Sequence, residues 1–244
     1  MFGFNFDRKT LYIIIGILAF MTLTSIGAEG LFGLVLSVPA VLLAITVHEF
    51  GHAFAAYKLG DDTPVRQGRL TLNPMDHIDP LGIAMLLFAN IGWGKPVQVN
   101  PRNYNRNISV EKADAIVSFA GPLMNFITAL LFAIIYCALF KFTEGAVFLG
   151  KIGLILELIF SSIILMNIGL GVFNMIPLPP LDGSKIFLPI LPRNAKIWFI
   201  QNEQTFYFVF LIIWITGIAR GVISPIIGQI TDWILGIAMA IFGI

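Results

Sequence analysis

The sequence predicts an all-α, polytopic membrane protein, and three observations predict it. Of its 244 residues, 57% are hydrophobic and 12% are charged, and the mean hydropathy is +0.88. A soluble domain carries about a quarter charged residues, so this chain has roughly half the charge that a water-facing surface needs. Several stretches long enough to span a bilayer, about 20 residues, contain no charge. We expect a single integral-membrane domain over residues 1–244.

Six transmembrane spans are predicted from the charge-free stretches. They lie near residues 10–28, 31–57, 114–140, 152–174, 204–219 and 221–243. The first differs from a cleavable signal peptide, because its apolar run exceeds the 7 to 15 residues typical of such peptides. The core of the domain is expected over 31–190, with additional C-terminal helices over 204–243. The apolar run 81–91 is too short to cross and is typical of a re-entrant or interfacial segment.

The positions of Lys and Arg predict the orientation of these spans. If the N-terminus is cytoplasmic, twelve of the 15 basic residues fall in inside segments, and only Lys141, Lys151 and Arg220 lie outside. Both termini are therefore predicted to face the cytoplasm.

The long inside loop, residues 58–113, is the only sizeable polar region, and we expect short β-strands in it. Residues 66–73 alternate apolar and polar side chains, and residues 95–100 do so more weakly, between Gly, Pro and Asn residues. Non-helical backbone at membrane depth is tolerated only where it is buried in protein or lines a watery cavity. A strand-rich, partly re-entrant loop is predicted here, at a functional cavity or a cytoplasmic cap.

Charge and cysteine content exclude two classes of partner and site. The net charge is +1 and no long basic run is present, which argues against a nucleic-acid partner. A single cysteine, Cys137, excludes a disulfide framework and a cysteine-based zinc site.

The second predicted span ends in the pattern H-E-x-x-H. His48 and His52 are four residues apart, so on a helix both imidazoles can reach one zinc ion, and Glu49 is placed as a general base. Ionisable groups at membrane depth cost roughly 2.5 kcal/mol or more each, and they persist when paired, metal-bound or functional. If Lys58 marks the cytoplasmic surface, the histidines lie about 9 to 15 Å below it. The competing interpretation is a helix end with polar residues at the lipid headgroups.

Asp182 is the predicted third ligand, since a catalytic zinc site needs three protein ligands and one open position. Prolines at positions 177, 179 and 180 stop the fourth span and force an extended path. Asp182 follows the charge-free run 158–181 on the predicted cytoplasmic side, level with the two histidines.

Two motifs in this order resemble the site-2 protease family of intramembrane zinc metalloproteases, peptidase family M50. They are H-E-F-G-H at 48–52 and N-M-I-P-L-P-P-L-D-G at 174–183. The sequence G-P-L-M-N at 121–125 is similar to the G-x-x-x-N helix of that family, and the loop around 73–82 and 92–97 resembles that of its small prokaryotic members. The resemblance covers about residues 40–190 and leaves no room for a PDZ or CBS domain.

The resemblance implies one Zn2+ per chain, held by His48, His52 and Asp182. It implies Glu49 as the catalytic acid and base, with Asn174 near the reacting carbonyl, where its amide is suited to stabilise an oxyanion. The implied substrate is a single-span or membrane-anchored protein, cut within or next to its transmembrane segment in regulated intramembrane proteolysis. A prokaryotic plasma membrane is the expected location.

Three further residues are predicted to support the site. Gly121 and Asn125 either shape the active site, as the resemblance implies, or serve ordinary close helix packing with an interhelical hydrogen bond. His77 is expected to be structural or to contact substrate in its loop. A strand edge within 66–73 or 95–100 could hold substrate extended by strand addition, in which case a proline within Leu70–Leu72 slows cleavage without loss of zinc.

The main alternative function is a divalent metal transporter or channel with a His and Asp site inside the bundle. Such a path needs polar groups in both halves of the membrane and broken helices near the midplane. Here the candidate residues gather towards one side. A membrane-anchored zincin would need a soluble domain for its cleft, and a serine intramembrane protease would need the histidines that zinc uses better.

Overall fold

The regular structure in the described residues, 8–79, 81–82 and 94–244 of a computed structural model, is helical throughout. Five helices are long: α1 (Arg8–Lys58), α4 (Val110–Phe142), α5 (Gly150–Asn174), α8 (Glu203–Ile215) and α9 (Ile218–Phe242). Four are short: α2 (Thr63–Arg66), α3 (Pro74–His77), α6 (Asp182–Phe187) and α7 (Arg193–Gln201). Turns of 3₁₀ helix occupy Pro101–Asn103, Ala146–Phe148 and Leu188–Ile190.

Four helices of the described chain are long and apolar enough to cross a membrane. They are Phe32–Lys58 within α1, then Val110–Phe142, Gly150–Asn174 and Ile218–Phe242. The predicted all-α membrane fold is thus confirmed, and the chain is an integral membrane protein. The predicted number of six spans is not confirmed.

Three of the predicted spans account for the difference, because two are merged into one helix and a third is too short. The spans 10–28 and 31–57 are parts of one 51-residue helix, α1, which runs through the expected turn. Only Glu29 and Gly30 separate them, and one glycine inside a helix costs only about 1 kcal/mol. The span 204–219 is shortened to α8, which ends before Gly217 in the left-handed conformation (φ 75°). Its 13 residues reach about 20 Å, less than the ~30 Å hydrocarbon core.

The strands predicted in the loop 58–113 are wrong for the described residues. Residues 66–73 include the end of α2, then a turn and the approach to α3. Asn73 caps α3 by accepting from the Met75 N–H, and Pro74 occupies the first turn. These local helix signals outweigh the alternation, so the strand edge predicted at 66–73 to hold substrate is absent. Residues 95–100 have no regular secondary structure, and the run 81–91 lies almost wholly outside the described residues.

The membrane helices pack around an apolar cluster between α4, α5 and α9. Its members are mostly small or β-branched and include Ala129, Ala133, Cys137, Ile164, Ile168, Val172, Ile234 and Ala238. Small side chains let neighbouring backbones approach closely, which favours dispersion contacts in a membrane where the hydrophobic effect does not drive helix association. Helix α1 packs on α4 and α5 beside this cluster.

Asp61 ties the C-terminal end of α1 to the loop that follows. Its carboxylate is fully buried and accepts hydrogen bonds from the N–H and hydroxyl of Thr63, the N–H of Asn100 and the amide of Asn103, at 2.5 to 3.0 Å. Burial raises the pKa of Asp61, but the hydrogen bonds lower it by more, so its pKa is below the ordinary value. The end of segment 94–100 at Asn100 is thereby fixed to the loop after α1.

Candidate metal centre and active site

His48, His52 and Asp182 converge at one point inside the helix bundle. The two Nε2 atoms are 3.1 Å apart, and Asp182 Oδ2 lies 3.1 Å from Nε2 of His48 and 3.2 Å from Nε2 of His52. The side chains are 8%, 12% and 19% exposed, respectively. The structure therefore brings together the three residues predicted as ligands, from two helices 130 residues apart in the chain.

Local geometry places each of these side chains. The histidines are four residues apart in α1, so they lie one above the other on the same face. Their rings occupy the space over Gly121 of α4, where a Cβ atom would be 2.5 Å from His52 Cε1 and 2.8 Å from His48 Cε1. Asp182 begins α6, and Gly183 beside it allows the chain to fold back, since a Cβ there would be 2.2 Å from the Ile176 carbonyl oxygen.

The partners of the two Nδ1 atoms determine the tautomers. His52 Nδ1 is 2.7 Å from the Val117 carbonyl oxygen, and His48 Nδ1 is 2.8 Å from Asn125 Oδ1. The Asn125 amide nitrogen points to the Ala44 carbonyl at 2.9 Å, which leaves its oxygen for His48. Both partner atoms can only accept, so both Nδ1 atoms carry the proton. Each Nε2 therefore presents its lone pair to Asp182.

This arrangement fits a bound metal cation. Three lone-pair atoms face one another at 3.1 to 3.2 Å, and Asp182 Oδ2 is buried without a hydrogen-bond donor among the described residues. Such atoms repel unless a cation lies between them. Tetrahedral ligands at about 2.0–2.1 Å from a metal are about 3.3–3.4 Å apart, close to the distances here. Two imidazoles and one carboxylate are a donor set used by catalytic zinc.

Glu49 is held beside this centre by a backbone amide. Its Oε2 accepts a hydrogen bond from the Val97 N–H at 2.9 Å. The segment that carries Val97 is fixed at both ends, by Lys95 N–H to the His77 carbonyl at 2.8 Å and by Asn100 N–H to Asp61 at 2.6 Å. A carboxylate next in sequence to a metal ligand is thus fixed in orientation, as a general base requires.

The other predicted residues have different surroundings. Asn125 is fully buried against His48, and Gly121 contacts both imidazoles, so each lies at the metal centre as well as at a helix contact. Asn174 ends α5 and donates one amide hydrogen to the Leu170 carbonyl at 3.0 Å, which leaves its second hydrogen for another acceptor. His77 is buried away from the metal ligands, with Nε2 2.8 Å from the Thr71 carbonyl, and supports the loop.

Sequence reasoning missed three groups at this site. They are the N–H of Val97, the carboxylate of Asp61 and the fully buried amide of Asn167, which accepts from Asn125 at 2.9 Å. Asn167 could have been found, because an amide inside the charge-free run 158–181 is costly unless it is paired. A backbone N–H contact leaves no signal in the sequence.

Comparison with known proteins relates this geometry to a family. Over 202 residues, 83% of this chain and 90% of the relative, the sequence is 37% identical to the Bacillus subtilis (strain 168) protein named "Putative zinc metalloprotease YwhC". It is 29% identical, over 80% of this chain and 71% of the relative, to "Putative zinc metalloprotease Rip2" of Mycolicibacterium smegmatis. No solved structure matches the chain significantly.

A sequence profile of the family gives the same result. The profile described as peptidase family M50 matches residues 37–217, which contain the two histidines, Glu49 and Asp182. The match covers well over half of the chain. The chain belongs to peptidase family M50.

Proposed function

We propose that this protein is an intramembrane zinc metalloprotease that hydrolyses a peptide bond within or next to the transmembrane segment of a membrane protein. The observation that carries the proposal is the convergence of His48, His52 and Asp182 with the carboxylate of Glu49 alongside, within the helix bundle. Membership of family M50 and relatives named as zinc metalloproteases support zinc as the metal.

The residues of the chain divide the hydrolysis between them. When held by His48, His52 and Asp182, zinc would act as a Lewis acid and lower the pKa of a water molecule towards ~7. Glu49, fixed by the Val97 N–H, accepts the proton of the attacking water and returns it to the leaving amine. Asn174 donates its remaining amide hydrogen to the oxygen of the scissile carbonyl as negative charge develops there.

The proposed setting is a prokaryotic plasma membrane with the site open towards the cytoplasm. The excess of Lys and Arg in the segments that flank the site supports this orientation. The substrate is a single-span or membrane-anchored protein, because His48 and His52 lie on a helix apolar enough to be in the bilayer. Regulated intramembrane proteolysis is the process that such a reaction serves.

The test uses purified protein reconstituted into vesicles with a single-span test substrate. Wild type and Glu49→Gln are compared for bound zinc and for cleavage. We expect Glu49→Gln to retain zinc and to cleave about 100-fold to 10,000-fold more slowly, the range for loss of a general base. His77→Gln serves as the matched control for a histidine outside the metal centre and should keep zinc.

Two results would contradict the proposal. Full cleavage by Glu49→Gln would exclude Glu49 as the general base. Zinc flux across intact vesicles without cleavage of the test substrate would favour the transporter. Against a transport path, the ligands form one cluster, at the C-terminal part of α1 and the start of α6.

A further inference from the structure

We propose that Asn167 is a positioning residue for the zinc ligand His48, acting through Asn125. This inference rests on the proposed function in so far as the metal is zinc. Asn167 lies on α5, is fully buried, and has no contact with the three ligands among the interactions that the structure describes. Its connection to the metal centre runs through one other amide.

A chain of hydrogen bonds leads from α5 to the metal centre. Asn167 Nδ2 donates to the Ile163 carbonyl at 2.9 Å, and Asn167 Oδ1 accepts from Asn125 Nδ2 at 2.9 Å. Asn125 Oδ1 in turn accepts from His48 Nδ1 at 2.8 Å. The chain ends at His48 Nε2, the atom directed at Asp182.

Each bond in this chain has only one possible direction. The Ile163 carbonyl cannot donate, so it receives the amide nitrogen of Asn167, and the oxygen of Asn167 must face Asn125. The nitrogen of Asn125 therefore faces Asn167, and its oxygen faces His48. His48 must then carry its proton on Nδ1. Asn167 thus helps to select the tautomer that leaves Nε2 free for a metal.

The two histidines differ in how this tautomer is secured. His52 donates to a main-chain carbonyl, that of Val117, which is fixed by helix α4. His48 donates to a side-chain amide that could turn over and present its nitrogen instead. Asn125 resists that rotation because both of its hydrogens have acceptors, the Ala44 carbonyl and Asn167 Oδ1. Asn167 therefore helps to fix the tautomer of His48 but not that of His52.

The change Asn167→Leu removes one of these two acceptors and keeps the number and branching of the non-hydrogen side-chain atoms. One hydrogen of Asn125 is then buried without a partner, and the amide gains freedom to rotate. Loss of a direct partner of a metal-binding histidine typically weakens metal binding about 10-fold to 100-fold. We expect Asn125→Leu in that range and Asn167→Leu at roughly threefold to tenfold, since one anchor of Asn125 remains.

The decisive readout is the tautomer of His48 in metal-free protein. The chain has three histidines, so 15N-histidine labelling gives few signals, and His77→Gln and His52→Gln assign them. We expect wild-type His48 to be protonated on Nδ1, and Asn167→Leu to show a mixture of tautomers at His48 with His52 unchanged. An unchanged His48 in Asn167→Leu would overturn the inference, whether or not zinc is the metal.

Zinc affinity, measured by competition with a chelator, separates positioning from helix packing. If Asn167 acts through Asn125, the double variant Asn125→Leu/Asn167→Leu should bind zinc no more weakly than Asn125→Leu alone. Additive losses would mean that Asn167 acts independently and would overturn the inference. Thr128→Val is the control, because Thr128 is a buried residue one turn from Asn125 whose hydroxyl, among the described residues, bonds the Met124 carbonyl of its own helix and no other group.

Two further comparisons deal with a leucine variant that does not fold and with a protein that binds no zinc. Asn167→Ala removes the same acceptor with a smaller side chain, so it replaces Asn167→Leu if the leucine variant does not fold. A wild-type protein that binds no zinc would contradict the proposed function but leave the tautomer experiment decisive for Asn167.

Discussion

Helices α4 and α5 meet in two different ways along their length. At the level of the metal centre they contact through Asn125 and Asn167, whose amides form a directional hydrogen bond. Ala129, one turn further along α4, and Ile168, the residue after Asn167 on α5, belong instead to the apolar cluster between α4, α5 and α9. The contact of Asn125 with Asn167 is called the polar level below, and the part of the apolar cluster that contains Ala129 and Ile168 is called the apolar level.

The difference shows what each kind of contact can do. Apolar packing holds the helices at a short distance but is indifferent to the rotation of an imidazole. Hydrogen bonds from amides and carbonyls specify which nitrogen of His48 and His52 carries the proton. Changes at the polar level should alter metal binding, and changes at the apolar level should alter only stability.

The largest expected effect follows from removing a ligand of the metal centre, which adjoins the polar level. Asp182→Ala should weaken zinc binding by more than about 100-fold, beyond the loss seen for residues that only support a ligand. Cleavage should be lost with the metal. Asp232→Ala, which removes an exposed carboxylate from α9, is the control and should change neither. Zinc competition and cleavage assays on both variants make the comparison, and full zinc binding by Asp182→Ala would exclude this ligand.

A single added methyl group at the polar level should also be severe. In Gly121→Ala the new Cβ would lie 2.5 Å from His52 Cε1, so the imidazoles must move, and zinc binding should fall about 10-fold to 100-fold. Gly169→Ala makes the same change on α5, where the nearest atom, Ile227 Cδ1, is 3.8 Å away. That control should keep its zinc and gain up to about 1 kcal/mol in stability. Equal zinc affinity in the two variants would be the contrary result.

The loop that orients Glu49 depends on Asp61, and its loss should have an intermediate effect. Asp61→Ala removes the acceptor for hydrogen bonds from the partly buried Thr63 and Asn100 and from the exposed Asn103, and should cost about 1–3 kcal/mol in the free energy of unfolding. Cleavage should slow while zinc is retained, because the Val97 N–H is no longer fixed. The neighbouring Asp62→Ala removes an exposed ion pair with Arg66 and should cost at most about 1 kcal/mol. Loss of zinc from Asp61→Ala would show that the loop supports the metal itself.

The same carboxylate predicts a pH dependence. The pKa of Asp61 is below its ordinary value of 3.8, because hydrogen bonds from Thr63, Asn100 and Asn103 outweigh its burial. Its stabilising contribution is therefore complete above pH 3.8 and is lost as the pH falls through its lowered pKa in the folded protein. The difference in unfolding midpoint between wild type and Asp61→Ala should shrink only on strong acidification. A difference that grows in acid would contradict this sign.

The smallest effect is expected at the apolar level. Ile168→Val removes one methyl group from a fully buried side chain and should cost about 0.5–1.5 kcal/mol in stability. Zinc affinity and the tautomer of His48 should not change. An altered zinc affinity in Ile168→Val would mean that the polar and apolar levels are not separable. The neighbouring change Asn167→Leu, by contrast, is expected to weaken zinc binding.

Local patterns account for the parts of the site that could be predicted from the sequence. His48, Glu49 and His52 depend only on helix geometry, and the prolines before Asp182 indicate where the fourth predicted span must stop. The distribution of Lys and Arg predicted that the histidines and Asp182 lie towards the same side of the membrane, where their side chains could meet. Residue types and spacing were sufficient for this.

Other parts depended on competition between weak signals or on contacts distant in sequence. The alternation at 66–73 was outweighed by the capping of α3 by Asn73 and Pro74. A lone Gly30 could not break α1, so two predicted spans became one helix. The N–H of Val97 on Glu49 and the pairing of Asn125 with Asn167 arise only when the chain is folded.

The most direct test of the metal centre is zinc K-edge X-ray absorption of the purified wild-type protein and of Asp182→Ala. For wild type we predict one zinc per chain with two imidazole nitrogens and oxygen ligands at about 2.0–2.2 Å, and no sulfur. Asp182→Ala should lose this signal or bind zinc far more weakly. A wild-type spectrum without two imidazoles, or the same spectrum in Asp182→Ala, would contradict a centre built from His48, His52 and Asp182.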